Sequence, residues 1–325
     1  MSEAPSPASQ PAGGPAPEEW PPERVAEVSA AELRAGRLPL RAQWRLAEQR
    51  QRADRGEPGA FTSDLTVEEF AAIRTVGFSP VGQVLGSAVY NVGWNYSSCG
   101  YYGGFGGRMG RWGAAPVTPV PATQQLLSKA RHHAVNRMRQ ECAALGGDGV
   151  VGVRLAVMSF HNVGLEFFAI GTAVRADGKV RPTQPFTSDL SGQDFAKLLR
   201  AGWVPVGLVQ GVGAMLRHRD AYQFAQGASW YNQELAGPTR LVQAAREAAR
   251  KDLTAEAQRA GGHSVVLRDT VLQVYERGCS GGEGEDQFVN TFLWGTAIVP
   301  YRRRRAQETE APLQILRLNP TKGTR

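Results

Sequence analysis

The sequence predicts an α+β protein of two tandem units, each an antiparallel sheet packed on a long amphipathic helix, with a disordered N-terminal tail and a basic C-terminal one. Three observations predict it. First, residues 126–155 read LLSKARHHAVNRMRQECAALGGDGVVGVRL: Leu127, Ala130, Ala134, Met138, Cys142 and Leu145 fall at helical spacing, a Gly-Gly pair ends the helix, and Val150, Val151 and Val153 open a strand. The same grammar returns from Leu241, where a shift of 115 residues lays that stripe on Val242, Ala245, Ala249, Leu253, Ala257 and Ala260, followed by Gly261, Gly262, Val265 and Val266. Second, Phe61-Thr62-Ser63-Asp64-Leu65 recurs as Phe186-Thr187-Ser188-Asp189-Leu190, and Gly77, Pro80, Val81 and Gly82 recur as Gly202, Pro205, Val206 and Gly207. Third, Gly171-Thr172-Ala173-Val174 recurs as Gly295-Thr296-Ala297-Ile298. Three landmarks in one order, twice, indicate an internal duplication of units of ordinary domain length.

Taken in order, residues 1–22 are rich in Pro, Ala, Ser and Gly and carry too little apolar surface to pack, so they read as disordered. Residues 23–59 read as a helical segment. Ser29 with Glu32 fits a capping box opening one helix, Pro39 breaks the pattern, and a second helix follows, with Trp44 and Leu46 available to dock on a domain or a partner protein. The first unit, 60–177, opens with a helix over 66–75 capped by Ser63 or Asp64, with Leu65, Phe70 and Ile73 facing inward. A strand over 80–89, the long helix over 123–145, and strands over 150–159 and 165–174, turned by Asn162-Val163-Gly164, complete it. The second unit, 186–300, repeats the plan: helix 191–201, strand 204–211, a connection over 213–237, helix 241–260, and strands 264–276 and 288–299. The tail, 301–325, is basic, with Arg302, Arg303, Arg304 and Arg305 in a run.

The strand ending in PVGxVxG, the helix closing on Gly-Gly, the VVGVR strand and the final GTAV strand resemble the YbjQ-like family, also labelled a heavy-metal-binding domain. The resemblance covers residues 61–175 strongly and 186–300 more weakly: the second unit reads GGHSVVLRDT where the first reads GGDGVVGVRL. It implies a small α+β fold, ring-like oligomers in single-unit members, and no established chemistry.

Composition narrows the function classes. With 42% hydrophobic residues the chain is that of a folded protein, and its net charge of +7 leaves it moderately basic. Cys99, Cys142 and Cys279 are too few, and odd in number, for a disulfide framework. No signal peptide and no long apolar run is read, so the expected place is a reducing cytoplasm with no transmembrane segment.

Two stretches invite functional readings. Between the first strand and the long helix of the first unit, residues 91–113 interleave glycine with Trp94, Tyr96, Tyr101, Tyr102, Phe105 and Trp112 beside Arg108 and Arg111; the second unit places Tyr222, Phe224, Trp230 and Tyr231 in the matching connection. Such a stretch can stack bases or sugars, order at a subunit contact, or remain a loop. The metal reading draws on His132, His133, Cys142, His161 and Cys99, with His218, His263 and Cys279 in the second unit; His133 and Cys142 are the pair to test. Yet His132 lies opposite Glu247, His133 opposite Ala248, Cys142 opposite Ala257 and Asp148 opposite His263, so no ligand-type pair recurs. Asp64 and Asp189 do recur, and helix capping accounts for them. No catalytic constellation stands out, and the glycines at 103–107 lack the Gly-Lys-Ser/Thr ending of a phosphate loop. The sequence therefore predicts a non-enzymatic cytoplasmic homo-oligomer, a ring-type binding scaffold without a resident cofactor. The alternatives are a protein binding a heavy metal ion or small ligand, and a weak nucleic-acid binder acting through the basic tail and aromatic loops.

Overall fold

The computed structural model describes residues 20–56, 62–91, 116–160, 164–219, 230–278 and 285–301. Within them the chain runs α1 (Pro22–Arg34), α2 (Leu40–Asp54), α3 (Val67–Arg74), β1 (Phe78–Tyr90), β2 (Val117–Pro119), α4 (Pro121–Ala144), β3 (Gly149–Phe160), β4 (Gly164–Ala176), β5 (Phe186–Thr187), α5 (Gly192–Arg200), β6 (Trp203–His218), α6 (Ala236–Arg259), β7 (Ser264–Gly278) and β8 (Glu285–Pro300). The architecture is α+β. Two four-stranded sheets, ordered β1-β4-β3-β5 and β2-β6-β8-β7, each carry one long helix.

The two sheets match down to their irregularities. β1 pairs antiparallel with β4 and β6 with β8, and the register slips at Pro80/Gly82 in one and at Pro205/Gly207 in the other. β3 and β7 each carry a bulge after the first paired residues, at Val151/Arg154 and Leu267/Asp269. Each long helix ends on a glycine in the left-handed region, Gly146 at φ 73° and Gly261 at φ 74°, a conformation that would strain a side chain. The stripe read from the sequence faces the core: Leu127, Ala130, Ala134, Met138 and Cys142 have no exposed surface, nor do Ala245 and Ala249.

Glycines let the helices approach the sheets. A Cβ at Gly86 would stand 2.0 Å from the Ala134 carbonyl oxygen, and one at Gly211 or Gly213 would stand 1.9 or 2.0 Å from those of Ala249 and Ala245. This corrects the reading of residues 213–237 as a connection: β6 continues to His218, paired with β8 throughout, and its glycines are helix-contact positions.

The halves interlock. β5, from the second FTSDL block, adds in parallel to β3 of the first sheet, and β2, preceding α4, pairs with β6 of the second. α4 is buried on two sides, because Leu208, Val212 and Phe292 of the second sheet join Leu127, Ala134, Val135 and Met138 in one core cluster. The blocks 60–177 and 186–300 therefore share strands and core.

Three capping expectations are overturned. Ser29 and Glu32 lie inside α1, which starts at Pro22 with proline in its first turn; Ser29 Oγ accepts from Leu40 N (3.3 Å) and Glu32 pairs with Arg37. α3 is capped by Thr66, in a box with Glu69, rather than by Ser63 or Asp64. α5 is capped by Ser191 rather than Asp189. Of the residues expected to face inward near α3, Ile73 is fully buried while Phe70 is 40% exposed. No helix among the described residues is long and apolar enough to cross a membrane.

Candidate functional site

The repeated FTSDL and GTAV blocks touch each other. In the second half Ser188 Oγ lies 3.0 Å from Thr296 Oγ1, Asp189 N donates to that oxygen (3.1 Å), and Leu190 N donates to Ser188 Oγ (3.2 Å). In the first half Ser63, Asp64 and Leu65 repeat the arrangement on Thr172, at 3.5, 3.1 and 3.2 Å. The aspartates then differ. Asp64 pairs with the exposed Arg154 at 2.5 Å. Asp189 is 2% exposed, accepts from Thr296 Oγ1, and its buried Oδ2 has no hydrogen-bond partner among the described residues. Burial pushes its carboxyl above the usual range, against the opposing pull of the Thr296 hydroxyl.

The joint between the halves is a polar contact set in that shared core. Arg131 of α4, 2% exposed, donates to Glu256 of α6, and His132 Nε2 lies 3.3 Å from the same carboxylate. Burial alone would raise Glu256, but the His132 hydrogen bond and the Arg131 charge outweigh it and hold the carboxyl at about 2. Arg139 of α4 donates to Thr187 Oγ1 (3.3 Å), which also accepts from Leu208 N (2.9 Å). Gly149 makes room for β5: a Cβ there would stand 2.2 Å from the Phe186 ring. Phe186 in turn stacks on Phe195 and meets Phe78 edge-on.

The expected metal pair is spread along one helix. His133 Nδ1 lies 2.8 Å from the Tyr90 hydroxyl, and burial together with the charges of Arg137 and Lys129 lowers its proton affinity. Cys142 is fully buried, its Sγ 3.4 Å from the Gly149 carbonyl oxygen, and burial with the nearby Asp148 charge pushes the thiol up to about 12. Nine residues of helix place the two about 13 Å apart along the axis. Among the described residues no group of three or more His, Cys, Asp or Glu side chains is placed to hold a metal ion. His132, His133 and Asp252 do line an open cleft of about 490 Å³ with Pro121, Gln125 and Lys129. His218 is engaged with Asp286 at 2.8 Å, and His263 packs on Trp203. Cys99, His161, Cys279 and the aromatic candidates Trp94, Tyr96, Tyr101, Tyr102, Phe105, Trp112 and Tyr222 lie outside the described residues. Trp230 is 99% exposed.

Residues 119–177, spanning the end of β2 through β4, match a family profile described as "Putative heavy-metal-binding". The "Encapsulin nanocompartment protein Rv1762c" of Mycobacterium tuberculosis is 34% identical over 267 residues, covering 79% of this chain and 91% of that one. The UPF0145 proteins of Halorubrum lacusprofundi and Natronomonas pharaonis are 47% and 46% identical over 51 and 56 residues. The chain belongs to the YbjQ-like family. The match to the two UPF0145 proteins spans about half their length, 49% and 54%, and only 16% and 17% of this chain. The similarity to the mycobacterial protein thus extends far beyond the YbjQ-like segment. No solved structure matches the chain.

Sequence reasoning found Asp64 and Asp189 but gave them the wrong task, and it passed over Arg131, Glu141 and Glu256. The signal for the last three was available: the 115-residue shift carries Arg131 onto Arg246 and Glu141 onto Glu256, charged residues that recur next to the apolar stripe of each long helix.

Proposed function

We propose that this YbjQ-like protein is a non-enzymatic, self-assembling scaffold of the cytoplasm, built from two copies of one unit. The observation that carries the reading is the joint between the halves. It is made by adding the leader of one unit to the sheet edge of the other and by burying Arg131 on Glu256, which is how subunits join rather than how loosely tethered domains lie together. The name of the mycobacterial relative, a nanocompartment protein, accords with a role in an assembly. Native mass spectrometry of the intact chain in metal-free buffer tests it. A discrete oligomer with no added mass is expected; a compact monomer at micromolar concentration would sink the proposal.

A second reading follows from the cleft beside His132 and His133. A neutral His133 and the carboxylate of Asp252 at one opening suit a small ligand or a metal ion, in line with the family description. Cys142, with its thiol held protonated at neutral pH, stays outside this reading. Elemental analysis and zinc titration of the wild type and of a His132→Ala/His133→Ala variant separate the cases. Stoichiometric metal lost in the variant supports the site, and equal zinc uptake by both removes it.

A further inference from the structure

Among the described residues, complementary parts of the interface that joins the halves are left exposed on the outer side of each half. Inside the chain the first unit contributes the β3 edge and Arg131, and the second contributes its leader and Glu256. At the far side of the second unit the counterparts of the first set are present. β7 is the edge strand of its sheet, with Ser264, Leu267 and Arg268 exposed, and Arg246, at the place of Arg131, is exposed on α6. At the near side of the first unit the counterparts of the second set are present. The leader, residues 62–65, is held on Thr172 as Ser188 is held on Thr296, yet it belongs to no strand among the described residues, and Thr62 and Asp64 are exposed where Thr187 and Asp189 are buried. Glu141 stands at the place of Glu256.

The sheet faces tell the same story. On the second sheet the face away from α6 is covered by α4, with Leu208 and Val212 in the core. On the first sheet the corresponding face leaves Leu85, Val89 and Met158 38%, 47% and 50% exposed. Glu141 is not idle in the meantime. Its Oε1 is 2.5 Å from Arg45 of α2, while Arg50 donates to the Ala144 carbonyl and Gln140 Nε2 to that of Gly36 (2.7 Å). An arginine from the N-terminal arm thus meets Glu141 as Arg131 meets Glu256.

We infer that a second copy of this chain docks head to tail, its β7 edge taking the leader at 62–65 and its Arg246 taking Glu141, and that the N-terminal arm competes with it for Glu141. This rests on the scaffold reading and adds to it the surface and its control. A heterologous contact of this kind closes into a ring or runs on as a filament, according to the rotation per step. The intermolecular joint is weaker than the internal one for two reasons. α6 presents exposed Arg250 and Thr254 where α4 presents Val135 and Arg139, and Ser264 carries a Cβ where Gly149 leaves room for an aromatic ring. Assembly is therefore set by concentration and by the arm.

Sedimentation velocity of the full chain over a range of concentrations tests this with Arg246→Glu, Glu141→Arg and Arg45→Ala. Arg246→Glu and Glu141→Arg each weaken association about tenfold or more, as loss of a close interfacial charge pair does, and an equimolar mixture of the two restores it because each joint then pairs opposite charges. Arg45→Ala raises association by freeing Glu141 Oε1, while Oε2 keeps its bond from Leu85 N (2.9 Å), a direction that a purely structural role of Arg45 would not give. Association of Arg246→Glu equal to wild type, or no recovery in the mixture, overturns the docking surface while leaving the scaffold standing. A chain that stays single both as wild type and as Arg45→Ala overturns both.

Discussion

Glu256 carries more consequence than its place on a helix suggests. Its carboxyl, ordinarily at 4.5, sits at about 2 in the folded chain, so the native state binds fewer protons than the unfolded one in between. Its contribution is therefore fully present above about pH 5 and is lost as pH falls through the window from 4.5 toward 2. Glu256→Gln leaves the Arg131 guanidinium buried without its counter-charge, which costs about 3–5 kcal/mol at neutral pH. Urea denaturation at several pH values checks this. The variant should be destabilised at pH 7, and its stability should fall less steeply than wild type between pH 4.5 and 3. A variant as stable as wild type at pH 7 would show the pair to be dispensable. Asp189 behaves in the opposite sense. Its raised carboxyl favours the protonated form, so whatever stability it lends belongs to low pH and is lost as pH rises through its folded value.

Among the elements, the two long helices were legible because a buried stripe at 3.6-residue spacing, a glycine stop and a valine strand are local signals, and the pattern occurs twice in the sequence. The shared strands were not. β2 and β5 are three and two residues long, too short for any periodicity, and their partners lie in the other half of the sequence. Capping failed for a related reason: Thr-Ser-Asp-Leu-Thr offers several residues able to cap, and only the position of Thr172 shows that Ser63 and Asp64 are already engaged. Gly213 reads as loop from the sequence, and Gly211 as an ordinary strand glycine, because the use of both, close approach of α6, is a property of two distant segments. That use is measurable. Gly211→Ala puts a methyl 1.9 Å from the Ala249 carbonyl oxygen and 2.7 Å from Leu253 N, so the helix must move; a loss of about 1–3 kcal/mol, the range for overpacking, is expected in thermal or chemical denaturation. Gly261→Ala separates this from backbone strain, since nothing lies within 4 Å of its Cβ position and only its φ of 74° resists a side chain, at about 1–2 kcal/mol. A Gly211→Ala chain of undiminished stability would mean that α6 rides on the sheet with slack.

At the scale of the whole molecule, the recurring sequence blocks suggest two domains that could unfold one after the other, and the packing argues that they do not. Two-state behaviour fails for multidomain chains when the parts have separate cores. Here Leu208, Val212 and Phe292 of one half share a cluster with α4 of the other, β5 completes the first sheet, β2 extends the second, and Arg131 needs Glu256. Unfolding either half would expose apolar surface and leave a buried charge in the other, so neither half is worth more than a fraction of its stability alone. The stretch between β4 and β5 is different in kind: residues 177–184 are exposed or only partly buried, and the covalent link there is not what holds the halves together. Two results are therefore expected of the same preparation. Thermal unfolding followed by far-ultraviolet circular dichroism and by tryptophan fluorescence should give coincident transitions, and limited proteolysis within 177–184 should yield two fragments that still migrate as one species in native gel filtration. Separate transitions, or fragments that part on the column without denaturant, would mean that the shared strands and core are incidental, and that each copy folds as the self-contained unit its sequence repeat suggests.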